Sequence, residues 1–110
     1  MIISSDIKFE LTDWDNIPSE RHEGTSGYAI WKVKKIGAIR VRMVEYSEDY
    51  LADHWCDKGH IIFCVEGEMI TELKDGRKFH LKKRMSYQVG DDSDSHRTQS
   101  ANGVKLFIVD

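Results

Sequence analysis

Asp53-His54-Trp55-Cys56-Asp57-Lys58-Gly59-His60-Ile61-Ile62-Phe63-Cys64-Val65 runs from a cluster of metal-seeking side chains straight into an apolar strand. Side chains alternate along a strand, so His54 and Cys56 point the same way. Asp57-Lys58-Gly59 reads as a three-residue hairpin loop, with Gly59 at the position that needs positive φ. That loop makes Cys56 and His60 a flanking pair on one side. Imidazole and thiolate are the donors that borderline and soft transition metals prefer. Residues 60–65 are apolar on both faces, with Ile61, Phe63 and Val65 on one and Ile62 and Cys64 on the other. A half-exposed strand would alternate, so both faces are expected to be covered.

Outward from this stretch the chain reads as strand after strand. Residues 28–33, 36–46, 52–56, 60–65, 68–73, 77–81, 85–89, 96–100 and 104–109 all carry strand patterns. Asp75-Gly76 and Asn102-Gly103 are tight-turn pairs. In residues 36–46, Ile39, Val41 and Met43 share one face and Arg40, Arg42 and Val44 the other. Residues 15–24 around Pro18 read as a long surface loop. No window combines a 3.6-residue apolar period with helix start and stop signals. Roughly eight or nine short strands at this spacing predict an all-β sandwich or barrel with little or no helix.

The 110 residues make one domain, with residues 1–27 expected as a strand and loop packed on a barrel of residues 28–110. A net charge of -3, with 16 scattered Lys and Arg, argues against a nucleic-acid partner. No stretch approaches the roughly 18 apolar residues of a membrane helix, and the start lacks signal-peptide features, so a cytoplasmic location is expected. Reducing cytosol would keep Cys56 and Cys64 as thiols. The outer face of residues 60–65 is expected to be covered by the segment bearing Trp14 or, preferred here, by a second subunit in a homodimer.

Asp53 to Glu68 resembles the first motif of the cupins, and Leu81 to Arg97 a degenerate second one. Counting back from Gly67 puts the family's acidic position on His60 and its two His positions on His54 and Cys56. The closing His of the second motif falls on His96. Arg84 stands where that motif has Gly, and no Pro precedes the His. More narrowly, residues 28–110 resemble the DHCW-motif cupin-fold proteins, although here Trp55 precedes Cys56 while the family label has the opposite order. The resemblance implies a small jelly-roll barrel with a metal inside.

The candidate ligands are therefore His54, Cys56, His60 and His96, with Cys64 as an alternative to His96. Such a set suits Zn, and Cu or Fe are also compatible. Arg40, Arg42, Tyr87 and Gln88 are candidates for orienting a small anionic or hydroxylated ligand at the barrel mouth. One expectation is a Lewis-acid enzyme acting on a small oxygenated metabolite. The other is a non-enzymatic metal, metabolite or redox-sensing module with a closed site of three His and one Cys. No residue is assigned a catalytic role. Cys56 as a nucleophile lacks a visible third group to orient a neighbouring His.

Overall fold

The computed structural model describes residues 3–110. After a single 3-10 turn over Trp14–Asn16, seven strands follow: β1 (Glu20–Glu23), β2 (Tyr28–Ile36), β3 (Ile39–Leu51), β4 (His60–Leu73), β5 (Lys78–Lys82), β6 (Ser86–Val89) and β7 (His96–Val109). They form one antiparallel sheet in the order β1-β2-β3-β7-β4-β5, with β6 also paired to β4. This is the expected all-β architecture. Among the described residues no helix is long and apolar enough to cross a membrane.

The strands are fewer and longer than expected. Asn102-Gly103 does not end a strand, because β7 runs through it, and Gly103 (φ 92°) makes a bulge instead. The same happens in β4 at Gly67 (φ 80°), where the register against β7 shifts twice. An Asn-Gly pair supplies the same backbone freedom to a bulge as to a turn, and alternation continues on either side of both. Asp75-Gly76 does close a hairpin, joining β4 to β5. Two further expectations are corrected. Residues 52–56 form no strand, only a bridge at Cys56, and part of the Pro18 loop is β1, an edge strand pairing with β2.

The two bulges shape the molecule. A flat 14-residue strand would span about 45 Å. β4 and β7 instead fold over as a pair, so the ends of the ribbon, near His60 and near His96, meet across the interior. Gly67 sits at the crease, where an added Cβ would lie 2.4 Å from the Gly103 carbonyl oxygen. Arg84, at the position where the cupin motif has Gly, likewise adopts a left-handed conformation (φ 71°).

Ile62, Cys64, Met69, Leu81, Val104, Leu106 and Ile108 fill the closed end of the interior, with Val44 from β3. Cys64 is thus a core residue, with its thiol near the Gly67 carbonyl. On the outside, Ile61, Phe63 and Val65 remain 47%, 41% and 38% exposed. The segment bearing Trp14 lies instead against β2, where the Trp14 carbonyl accepts from Lys32 Nζ and Glu10 pairs with Lys34. Gly67→Ala is expected to cost about 1–3 kcal/mol from backbone strain alone, with the clash added, measurable as a fall in urea midpoint. Unchanged stability would show that the crease does not depend on glycine.

Candidate metal centre

Three of the four expected ligands come together where the folded ribbon closes. Cys56 lies outside any strand, but two backbone hydrogen bonds join it to His96, Cys56 N to His96 O at 2.7 Å and His96 N to Cys56 O at 3.0 Å. His60 opens β4 and His96 opens β7, both buried and directed inward. One donor atom from each of Cys56, His60 and His96 lies within 4.8 Å of the others.

The local folding differs from the expected hairpin. Cys56 pairs with His96 rather than across a loop with His60. Gly59 is required for a close approach, since a Cβ there would lie 2.6 Å from Asp91 N and 2.8 Å from the Val89 carbonyl. Its own N–H donates to Asp91 Oδ1 at 2.7 Å, and Asp92 N donates to the Asp57 carbonyl at 2.8 Å. The acidic loop thereby pins the segment that leads into His60. His54 is not brought to the group. Its ring is 71% exposed and pairs with Asp53 at 2.6 Å. Without a strand over residues 52–56, the alternation that aligned it with Cys56 does not apply.

The tautomers follow from the partners. Asp110 is a carboxylate and can only accept, so His60 Nδ1 donates to it at 3.0 Å. His96 Nδ1 donates to the Asp94 carbonyl at 2.9 Å. Each Nε2 is then left with its lone pair, and the two Nε2 atoms face each other at 3.0 Å. Cys56 Sγ lies 3.8 Å from His60 Nε2. Lone pairs this close repel unless a cation or a proton lies between them. Ligand histidines held through Nδ1 by a carboxylate or carbonyl are the usual support of a metal site. Two imidazoles and a thiolate also form a donor set that fits a borderline transition metal.

The surrounding charges favour the thiolate. Hydrogen bonds with His60 and His96 lower the Cys56 thiol to about 5, against the opposing effect of burial. In the metal-free protein a proton at Nε2 takes the place of the cation, and the hydrogen bond it makes to Cys56 raises His96 despite its burial. Asp110 has a fully buried side chain held by Arg40 Nε at 2.8 Å and Arg42 Nη2 at 2.9 Å. Burial by itself would raise its carboxyl. Hydrogen bonds from Arg40 and His60, with the charges of both arginines, outweigh that and hold it well below the usual carboxylate range.

A cavity of about 350 Å³ opens beside the group, lined among others by Trp31, Arg40, Arg42, Tyr87 and the three donors. Arg40 and Arg42 thus face inward on the side of the buried Val44. Tyr87 also faces inward, its hydroxyl near Thr71. Gln88 is exposed and does not line this cavity. Asp110 escaped the sequence reading, yet a signal was there. Val104, Leu106 and Ile108 are all inward, and their alternation carries on to 110.

The fold is that of the cupins. Protein NMB1881 from Neisseria meningitidis is 25% identical, with a TM-score of 0.60, over 73% of this chain and 80% of its own. A predicted oxalate decarboxylase from Thermotoga maritima is 12% identical, with a TM-score of 0.76, over 91% of this chain and 96% of its own. Fe(II)-HppE, in a structure with the alternative substrate (S)-1-HPP, is 15% identical, with a TM-score of 0.76, over 93% of this chain and 60% of its own. No protein-family model matches the chain, nor does any curated protein. The narrower likeness to DHCW-motif proteins rests on the residues quoted from the sequence.

Asp110→Asn leaves the buried Arg42 guanidinium and the half-buried Arg40 short of their counter-ion, and is expected to cost about 3–5 kcal/mol at neutral pH. The native carboxyl titrates lower folded than unfolded, so its contribution is complete above the ordinary Asp value of about 3.9 and declines as pH falls below it. Urea unfolding of EDTA-treated protein should therefore show a large gap between native and variant at pH 7 that narrows at pH 3. A gap independent of pH would contradict this role.

Proposed function

We propose that this protein is a metal-binding cupin that holds one divalent transition metal through Cys56, His60 and His96, beside a pocket for a small oxygenated metabolite. The observation that carries this reading is the pair of facing Nε2 atoms 3.0 Å apart, each freed by a hydrogen bond at its own Nδ1. Zinc suits the set best, with Cu and Fe compatible. A bound divalent ion would supply Lewis acidity toward an oxygen of the metabolite. Asp110 keeps the His60 proton on Nδ1, and the Asp94 carbonyl does the same for His96. Arg40 and Arg42 hold Asp110 in place. Three protein donors leave room for an exchangeable ligand, as in catalytic zinc sites, and this favours the enzyme reading over a closed site.

Metal analysis of purified protein, with the spectrum of a cobalt-substituted form, tests the ligand set. One metal per chain is expected, with a thiolate-to-cobalt band that Cys56→Ser abolishes and His54→Ala leaves intact. Metal content and spectrum unaffected by Cys56→Ser would rule out the thiolate ligand. Loss with His54→Ala would return that residue to the site.

A second copy is proposed as the cover for the outer face of β4. Paired residues share a face, so Val41, Val109 and Ile61 form one apolar row across three strands, and Met43, Phe107 and Phe63 the next. Glu45, Lys105 and Glu66 border them with mixed charge, which lets a two-fold copy set Lys105 against an acid. Light scattering should give twice the chain mass for the native protein and one chain for Phe63→Lys with metal content kept. A monomeric native protein would refute the dimer.

A further inference from the structure

Two buried donors in the cavity wall have no acceptor among the described residues: Arg42 Nε and Trp31 Nε1. A buried N–H without a partner costs stability and in native proteins calls for an explanation. These two are neighbours. Trp31 and Arg42 lie on the inner faces of β2 and β3, and the Arg42 guanidinium sits 4.4 Å from the centre of the Trp31 ring. Both residues line the cavity that holds Cys56, His60 and His96. The Arg42 side chain is only 6% exposed.

Part of each neighbouring guanidinium is already engaged. Arg40 gives Nε and Nη2 to Asp110, and Arg42 gives Nη2 to the same carboxylate. Of the donors shut away from solvent, one N–H from each of two residues is left without an acceptor. A pair of single donors matches the two oxygens of a carboxylate.

Charge favours the same ligand. Arg40 and Arg42 bring two positive charges against the single carboxylate of Asp110. A divalent ion at the metal centre would add to that positive excess in a buried setting, where an anion is strongly attracted. The cavity volume of about 350 Å³ accommodates a molecule of a few heavy atoms.

We infer that the pocket recognises a small carboxylic acid, its carboxylate accepting from Arg42 Nε and Trp31 Nε1 while an oxygen elsewhere on the molecule faces the Cys56–His60–His96 group. This builds on the metal-centre reading and names its ligand class. Trp31 and Arg42 are then specificity-determining residues, and Arg40 is a positioning residue that acts through Asp110.

The Trp31 indole N–H is a direct reporter, identified in a ¹H–¹⁵N spectrum as the indole signal missing from Trp31→Phe. Glycolate is the probe, with acetate, inorganic phosphate and chloride as comparison arms, added to EDTA-treated and to zinc-loaded protein. Glycolate and acetate should move the Trp31 signal downfield in both forms, at lower concentration with zinc, while phosphate and chloride leave it in place. Calorimetry should then show glycolate binding weakened about tenfold or more by Arg42→Lys and by Trp31→Phe, as for a lost hydrogen bond to a charged group, with zinc content unchanged in Trp31→Phe. A Trp31 signal that does not respond to glycolate in either form overturns the carboxylate site, even if zinc is bound. A response to phosphate alone overturns it too. A shift with glycolate in protein that takes up no zinc upholds the carboxylate site and removes the metal-centre reading instead.

Discussion

The paired strands β4 and β7 must fold back on themselves, and every feature of the site follows from that crease. Laid flat, the ribbon would keep His60 and His96 at opposite ends. Bulges at Gly67 and Gly103, both with positive φ, turn it over so that the two imidazoles meet at 3.0 Å. Glycine is needed because the backbones approach too closely at Gly67 for any side chain. The closed end behind the crease packs as an ordinary apolar core, and the open end is left polar. Structure and chemistry thus divide along the same two strands.

At the open end, buried groups hold one another in fixed protonation states. Two arginines keep Asp110 ionised, Asp110 fixes the His60 proton, and the Asp94 carbonyl fixes that of His96. The result is a set of lone pairs directed at a common point, with a thiol inclined to be a thiolate beside them. Such an arrangement is costly without a cation. The chain accepts the cost at one place, while its interior otherwise follows the usual apolar pattern.

The all-β class was legible from alternation and turn residues, and the residues resembling the cupin motifs led to the fold. Cys56, His60 and His96 were legible as candidate ligands because those side chains have a restricted chemistry. Their mutual arrangement was not. The sequence suggested a hairpin over Asp57-Lys58-Gly59, whereas Cys56 bridges to His96, a residue forty positions away. A non-local pairing leaves no periodic trace. His54 was aligned by an alternation that needs a strand, and no strand forms there. Asn102-Gly103 misled because positive φ serves bulge and turn equally. The inward arginines of β3 were ambiguous, since a strand's pattern gives two faces without saying which is inside. Only Asp110, buried at the end of β7, turns the face with two charges into the inner one.

X-ray absorption at the zinc edge tests the centre most directly, because it counts the atoms around the ion without relying on activity. The account predicts one sulfur and two imidazoles from the protein, completed by a light oxygen or nitrogen donor. A first shell with no sulfur, with two sulfurs, or with three imidazoles would contradict it.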